Sequence, residues 1–145
     1  HQRAGSRGVV ELHGTIITWR CCATGRETTP GPEPMTAFPP PSPFEKGAML
    51  RPAVVWFGEM LPPAALDAAQ EAAESCDVFV SVGTSAVVYP AAGFVGVASA
   101  NGAFTAEVNA EDTPISRSVD CTIRARAGEA LPLVVERAFG GTALA

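Results

Sequence analysis

Lysine is almost absent from this chain. Lys46 is its single example, and ten basic residues stand against fifteen acidic ones, for a formal charge of −5. With the arginines scattered, no electrostatic footprint for nucleic acid or an anionic membrane exists, and neither partner is expected. Long apolar runs are lacking too. None approaches the roughly 18 to 20 residues that span a bilayer, and the first residues hold no basic segment followed by an apolar stretch. Cysteine is sparse: Cys21, Cys22, Cys76 and Cys121 show no secreted disulfide spacing, and two of them are adjacent. That pattern fits reduced thiols inside a cell. No GxGxxG loop occurs, which argues against a Rossmann-type oxidoreductase that transfers hydride. A soluble, cytoplasmic protein is the expectation.

What is present is one domain's worth of sequence. The chain has 145 residues, 47% of them apolar, enough to bury a real core. Residues 8–19 are rich in β-branched side chains and predict short extended segments around a turn at Gly14, which places His13 at a loop or strand end. Between Thr24 and Phe44 periodicity is lost, and Pro30, Pro32, Pro34, Pro39, Pro40, Pro41 and Pro43 remove donors and fix φ. Helix and sheet interior are excluded there. Residues 54–57 predict a short apolar strand. The alanine-rich run 64–75 predicts a helix, with Pro63 in its first turn and Glu71 and Glu74 on its wet face. An apolar run over 76–82, ending at Gly83, has the form of a buried parallel strand feeding a glycine turn. Beyond it come a helix over 90–100, strands over 103–108 and 119–123, and a helix over 128–139. This alternation predicts an α/β fold with a parallel sheet of Rossmann type, helices on both faces, and ligands at the carboxyl ends of the strands.

Several residues at those ends can carry chemistry. In Gly83-Thr84-Ser85 the glycine permits close approach of the backbone, and two hydroxyls can bond phosphate or ribose oxygens at a helix start. An ordinary strand-to-helix turn with a hydroxyl cap has the same sequence. Asn109 and Glu111 pair an amide with a carboxylate, suited to hydroxyl recognition; an Asx turn leading into Thr113-Pro114 fits as well. His13 is one of only two histidines, and an imidazole titrates near working pH. By itself it can equally cap the turn before Gly14.

The motifs also stand in a telling order. Glu11-Leu-His13-Gly14, then Arg51-Pro-Ala-Val-Val55-Trp-Phe57-Gly58-Glu59, then Gly83-Thr84-Ser85 and Val88-Tyr89-Pro90 together resemble the sirtuins, the NAD-dependent protein-lysine deacylases. Trp56 beside Phe57-Gly58-Glu59 and the run Val88-Tyr89-Pro90-Ala91-Ala92 look most like the class III members, which include desuccinylases and demalonylases. The resemblance implies NAD as co-substrate and acyl-lysine proteins or peptides as partners. His13 would be the general base on a ribose hydroxyl. Gly83, Thr84 and Ser85 would contact the dinucleotide, Asn109 and Glu111 the adenosine ribose, and the backbone of Ala127 the adenine. Val55, Phe57, Gly58 and Glu59 would line the peptide site, where strand addition supplies main-chain bonds. Nicotinamide, O-acyl-ADP-ribose and free lysine would be the products.

The same resemblance sets the expected organisation. His1-Gln-Arg-Ala4-Gly5 is similar to the middle of a family motif, so the chain is expected to start in mid-domain, with the N-terminal strands and the glycine-rich loop missing. The whole of 1–145 is then one partial catalytic domain, in which 15–50 is a proline-rich remnant of the small zinc domain and 51–145 the C-terminal half of the NAD-binding domain. If the polypeptide truly begins at His1, open sheet edges and poor folding follow. Sirtuins hold zinc with two CxxC pairs, four thiolates in a strong structural signature. Here the four positions read Cys21, Thr24, Pro43 and Lys46, and no zinc is expected. That loss, with the missing loop, leaves open an alternative: a non-catalytic remnant that binds only nucleotide or peptide.

Overall fold

A computed structural model describes residues 1–31 and 37–140. Pro32 and Pro34 of the proline-rich excursion lie outside the described residues. The chain divides into two compact units, His1–Asp67 and Ala68–Ala145. Among the described residues no helix is long and apolar enough to cross a membrane.

The first unit carries a three-stranded antiparallel sheet in the order β2-β1-β3, formed by β1 (Gly14–Cys21), β2 (Glu27–Thr28) and β3 (Leu50–Val54). The β-branched residues after Gly14 therefore make one strand, entered through a turn in which the Gly14 N–H donates to the Glu11 carbonyl. Register shifts between Thr15 and Trp19, a bulge that leaves Ile16 and Ile17 exposed while returning Trp19 and Cys21 to the core. Trp19, Cys21 and Leu50 form that core, with Phe44 and Ala48 packed against it. Pro52 is tolerated within β3 because this is an edge strand.

One strand lies elsewhere than expected. Extended structure was predicted over 54–57, whereas β3 ends at Val54. The reason is a side chain: the Glu59 carboxylate accepts from the Trp56 N–H at 3.1 Å, and the Glu59 N–H donates to the Trp56 carbonyl. That turn ends the ladder just after the Val55 N–H has donated to the His13 carbonyl at 2.9 Å.

Helix α1 (Pro63–Ser75) begins at the expected proline and buries Ala73 while Glu71 and Glu74 stay exposed. The second unit is a parallel sheet in the order β4-β5-β6, with β4 (Val78–Val82), β5 (Phe104–Asn109) and β6 (Cys121–Arg124). Helix α2 (Phe94–Ala100), entered by a 3₁₀ turn at Ala91–Gly93, packs on β4 and β5, and α3 (Ala127–Phe139) packs on β5. The predicted strand-helix alternation is present. Within these residues β4 is the outer strand of the sheet, and Val78, Val80 and Val82 are exposed. The buried strand is the central one, β5, where Thr105, Ala106, Glu107 and Val108 are all inside.

Candidate NAD and peptide site

In the first unit, Gly14 dictates where His13 stands. Gly14 has φ of 73° and lies so close to β3 that a Cβ would overlap the Ala53 carbonyl oxygen and sit 3.2 Å from the Val54 Cα. Only glycine fits this left-handed, tightly paired position. The turn is therefore set, and the His13 side chain is exposed at its apex. With the Val55 N–H bonded to the His13 carbonyl, the start of the candidate peptide segment is tied directly to the candidate base.

The segment after Val55 is held by charge. The Arg51 guanidinium lies over the Trp56 ring at 4.4 Å, donates to the Val54 carbonyl at 3.1 Å, and bonds the Glu59 carboxylate at 2.5 Å. Arg20 lies 3.8 Å from the other Glu59 oxygen. The Trp56 N–H and then Arg51 hold the Glu59 carboxyl below its ordinary range. Gly58 supplies a positive φ of 87°, and Phe57 is left 96% exposed at the turn. A pocket of about 370 Å³ opens beside it, lined by Arg20, Arg51, Val55, Glu59 and Met60. Of the four candidate peptide-site residues, Glu59 already has its carboxylate engaged, so it shapes the turn, while Phe57 and Gly58 are exposed and Val55 is half-buried. Arg51 carries as much of this arrangement as any residue that the motif reading singled out. Its pairing with Glu59, eight positions away, was invisible in sequence.

The four positions that the resemblance assigns to zinc do not fit it. Cys21 is buried and its thiol is brought down to about 7, chiefly by the Ser42 hydroxyl and then by Thr24, against the opposing effect of burial. Cys22 is exposed, as is Lys46. One thiol, a hydroxyl, a proline and an exposed lysine cannot supply four donors. Aromatic packing fills the region instead: Arg26 lies over Phe44 at 4.3 Å, and Trp19 meets Phe38 edge-on at 6.3 Å.

In the second unit the parallel register brings three candidate segments to one end. Val82 pairs with Val108 and Asn109 with Arg124, so the carboxyl ends of β4, β5 and β6 are adjacent. Gly83, with φ of 61°, turns the chain out of β4 while its N–H donates to the Val108 carbonyl. The Asn109 amide then donates to the Thr84 carbonyl at 2.7 Å, joining two segments 25 residues apart. Its oxygen accepts from the Glu111 N–H at 3.3 Å, so the Asx turn is also real. The side chains of Thr84, Ser85 and Glu111 remain exposed. Ala127 is the first residue of α3, where backbone N–H groups have no partner within the helix and face outward as donors. Hydroxyls, a carboxylate and main-chain donors at the carboxyl end of a parallel sheet are what a dinucleotide needs.

A sequence profile of the Sir2 family matches residues 1–90. The chain belongs to the Sir2 family. Its relatives include the NAD-dependent protein deacylase of Mycobacterium tuberculosis (strain ATCC 25618 / H37Rv), 46% identical over 141 residues that cover 94% of this chain and 59% of the relative. The protein of the same name from Aquifex aeolicus (strain VF5) is 48% identical over 140 residues, covering 94% and 56%. Among solved structures, a Sir2 homologue in complex with NAD is similar with a TM-score of 0.86 and 38% identity over 97% of this chain and 54% of that one. A Sir2 protein bound to a propionylated peptide has a TM-score of 0.86 and 29% identity, over 96% and 60%. This Sir2 chain thus spans somewhat under three-fifths of the length of these curated relatives. Its Rossmann-type α/β architecture, expected from the strand and helix alternation, is that of the family.

Proposed function

We propose that the protein is an NAD-dependent protein-lysine deacylase of the deacetylase or desuccinylase type, acting on acyl-lysine proteins or peptides. The observation that carries this reading is the tie between His13 and Val55, which holds the candidate base beside the start of the candidate peptide segment. Relatives named NAD-dependent protein deacylase, 46% and 48% identical across 94% of the chain, support it. NAD would supply the ADP-ribosyl group that accepts the acyl chain. His13 would take the proton from a ribose hydroxyl, Thr84 and Ser85 would hold the dinucleotide through their hydroxyls, Glu111 would meet the adenosine ribose, and the Ala127 N–H the adenine. Val55, Phe57 and Gly58 would receive the peptide backbone by strand addition. Four free thiols support a reducing, cytoplasmic setting.

The test is release of nicotinamide from NAD by the complete protein, with acetylated and succinylated peptides offered separately. Peptide-dependent release is the expected result. Tight binding of ADP-ribose with no release would instead support the second reading, a non-catalytic binder, which the replacement of three metal-ligand positions by Thr24, Pro43 and Lys46 favours.

We further infer that the small domain folds without zinc. Elemental analysis is expected to find zinc well below one equivalent, and a chelator should leave thermal stability unchanged, unlike in a domain whose folding free energy is metal binding. One equivalent of zinc, lost only on unfolding, would overturn this.

A further inference from the structure

The central strand of the parallel sheet contains a polar group that none of the roles above uses. Glu107 is fully buried, with 0% exposure, between Ala106 and Val108 of β5. A carboxyl group is costly to bury and is retained in a core only where hydrogen bonds satisfy it; an apolar side chain of similar volume would usually be at least as stable there. Its partners both lie in the segment that follows the strand. The Thr113 hydroxyl donates to one Glu107 oxygen through a short bond, and the Ser116 hydroxyl donates to the other at 2.5 Å.

These hydroxyls are themselves fixed. The Thr113 N–H donates to Ser116 Oγ at 2.8 Å, the Ile115 N–H donates to Thr113 Oγ1 at 3.3 Å, and Ile115 is buried. One side chain on the strand therefore closes the loop that begins at Asn109. Two residues earlier on the same strand, Thr105 does the same at the far end: its N–H and hydroxyl each donate to Asp120 Oδ2 at 2.8 Å. The outer side of the loop is held by Arg124, which donates to the carbonyls of Asn109 and Glu111 and pairs with Asp112. Between the buried clamp and the arginine, Glu111 is left exposed at the carboxyl end of the sheet.

We propose that Glu107 is a positioning residue for the nucleotide end of the site. By holding Thr113 and Ser116, its buried carboxyl group fixes the loop that presents Asn109 and Glu111. The proposal rests on the reading of this end as the NAD site. Because the loop contributes no reacting atom, loss of the clamp changes nucleotide affinity and leaves peptide recognition, in the other unit, unaffected.

The experiment compares the complete protein with Glu107→Ala, Glu107→Gln and the milder Ser116→Ala. ADP-ribose affinity is measured by calorimetry, and KM for NAD, KM for acyl-peptide and kcat are measured by nicotinamide release. For Glu107→Ala we expect ADP-ribose affinity to fall and KM for NAD to rise by roughly 10- to 100-fold, as for other groups that orient a ligating shell. KM for the peptide and kcat at saturating NAD should stay within about twofold, a margin well inside the tenfold that 1.4 kcal/mol would make. Glu107→Gln keeps one acceptor and should restore most of the affinity. Should Glu107→Ala fail to fold, Ser116→Ala, which removes one donor from a partly exposed position, should show the same split at smaller size. Unchanged ADP-ribose affinity in variants that do fold, or an equal loss in kcat and in KM for the peptide, would overturn the positioning role. A wild-type protein that binds no ADP-ribose would instead sink the NAD reading, and the proposal with it.

Discussion

Replacing His13 by alanine is expected to lower peptide-dependent nicotinamide release and deacylation by about 10²- to 10⁴-fold, the usual contribution of a positioned general base. The fold gives this experiment a clean reading. His13 is exposed at the apex of its turn, and what the structure uses there is the backbone, whose carbonyl accepts from Val55. An exposed side chain away from caps and cores alters stability by no more than about 0.5 kcal/mol, so lost activity would not reflect unfolding. KM for NAD should change little if the imidazole acts on the reacting ribose and does not hold the dinucleotide. Activity retained within a few-fold would mean that another group is the base, and that His13 only caps the turn before Gly14.

The neighbouring glycine should show the largest effect on stability. Alanine at Gly14 must adopt a left-handed φ near 73°, which costs about 1 to 2 kcal/mol for an L-residue. The added methyl would also overlap the Ala53 carbonyl, a backbone atom that cannot swing aside as a long side chain can. Relief requires parting β1 from β3, at the loss of the Gly14–Val54 pairing. Together these predict a loss of roughly 3 to 5 kcal/mol, a large share of the stability of an ordinary domain. Gly25→Ala is the control, because Gly25 has a similar φ of 71° but open space where the methyl would go. It should cost only the conformational part, about 1 to 2 kcal/mol. Urea unfolding of both variants measures the difference. If Gly14→Ala costs no more than Gly25→Ala, the steric argument is wrong, and with it the claim that this glycine sets the position of His13.

Much of the second unit was legible because its strands are apolar runs ended by glycine, asparagine or charge. The expected helix over 128–139 differs from Ala127–Phe139 by one residue, and the strand over 103–108 from Phe104–Asn109 by one. Less legible was anything decided by a side chain reaching along the chain. The predicted strand over 54–57 stops at Val54 because Glu59 captures the Trp56 N–H, and no periodicity announces such a turn. Glu107 shows the same limit. In sequence it is one acidic residue in an apolar stretch, as it would be on a half-exposed strand, and only its central place in the sheet and the hydroxyls at 113 and 116 reveal it as a buried clamp. Sequence suggested two readings of Asn109, and the structure contains features of both: an Asx bond to Glu111 and a link across to Thr84.

The sequence by itself determined the family, through short motifs in a telling order, each of which does local work in this chain: a glycine at a left-handed turn, hydroxyls after a strand, a histidine before a close backbone contact. It also put Cys21, Thr24, Pro43 and Lys46 at the four positions where the resemblance implies thiolates. Tertiary structure alone decided which polar groups meet. The Thr84–Asn109 bond, the Glu107 clamp and the Arg51–Glu59 pair join residues between 6 and 25 positions apart. Each forms only because strand pairing or a turn brings its partners within about 3 Å, the distance at which a hydrogen bond exists at all.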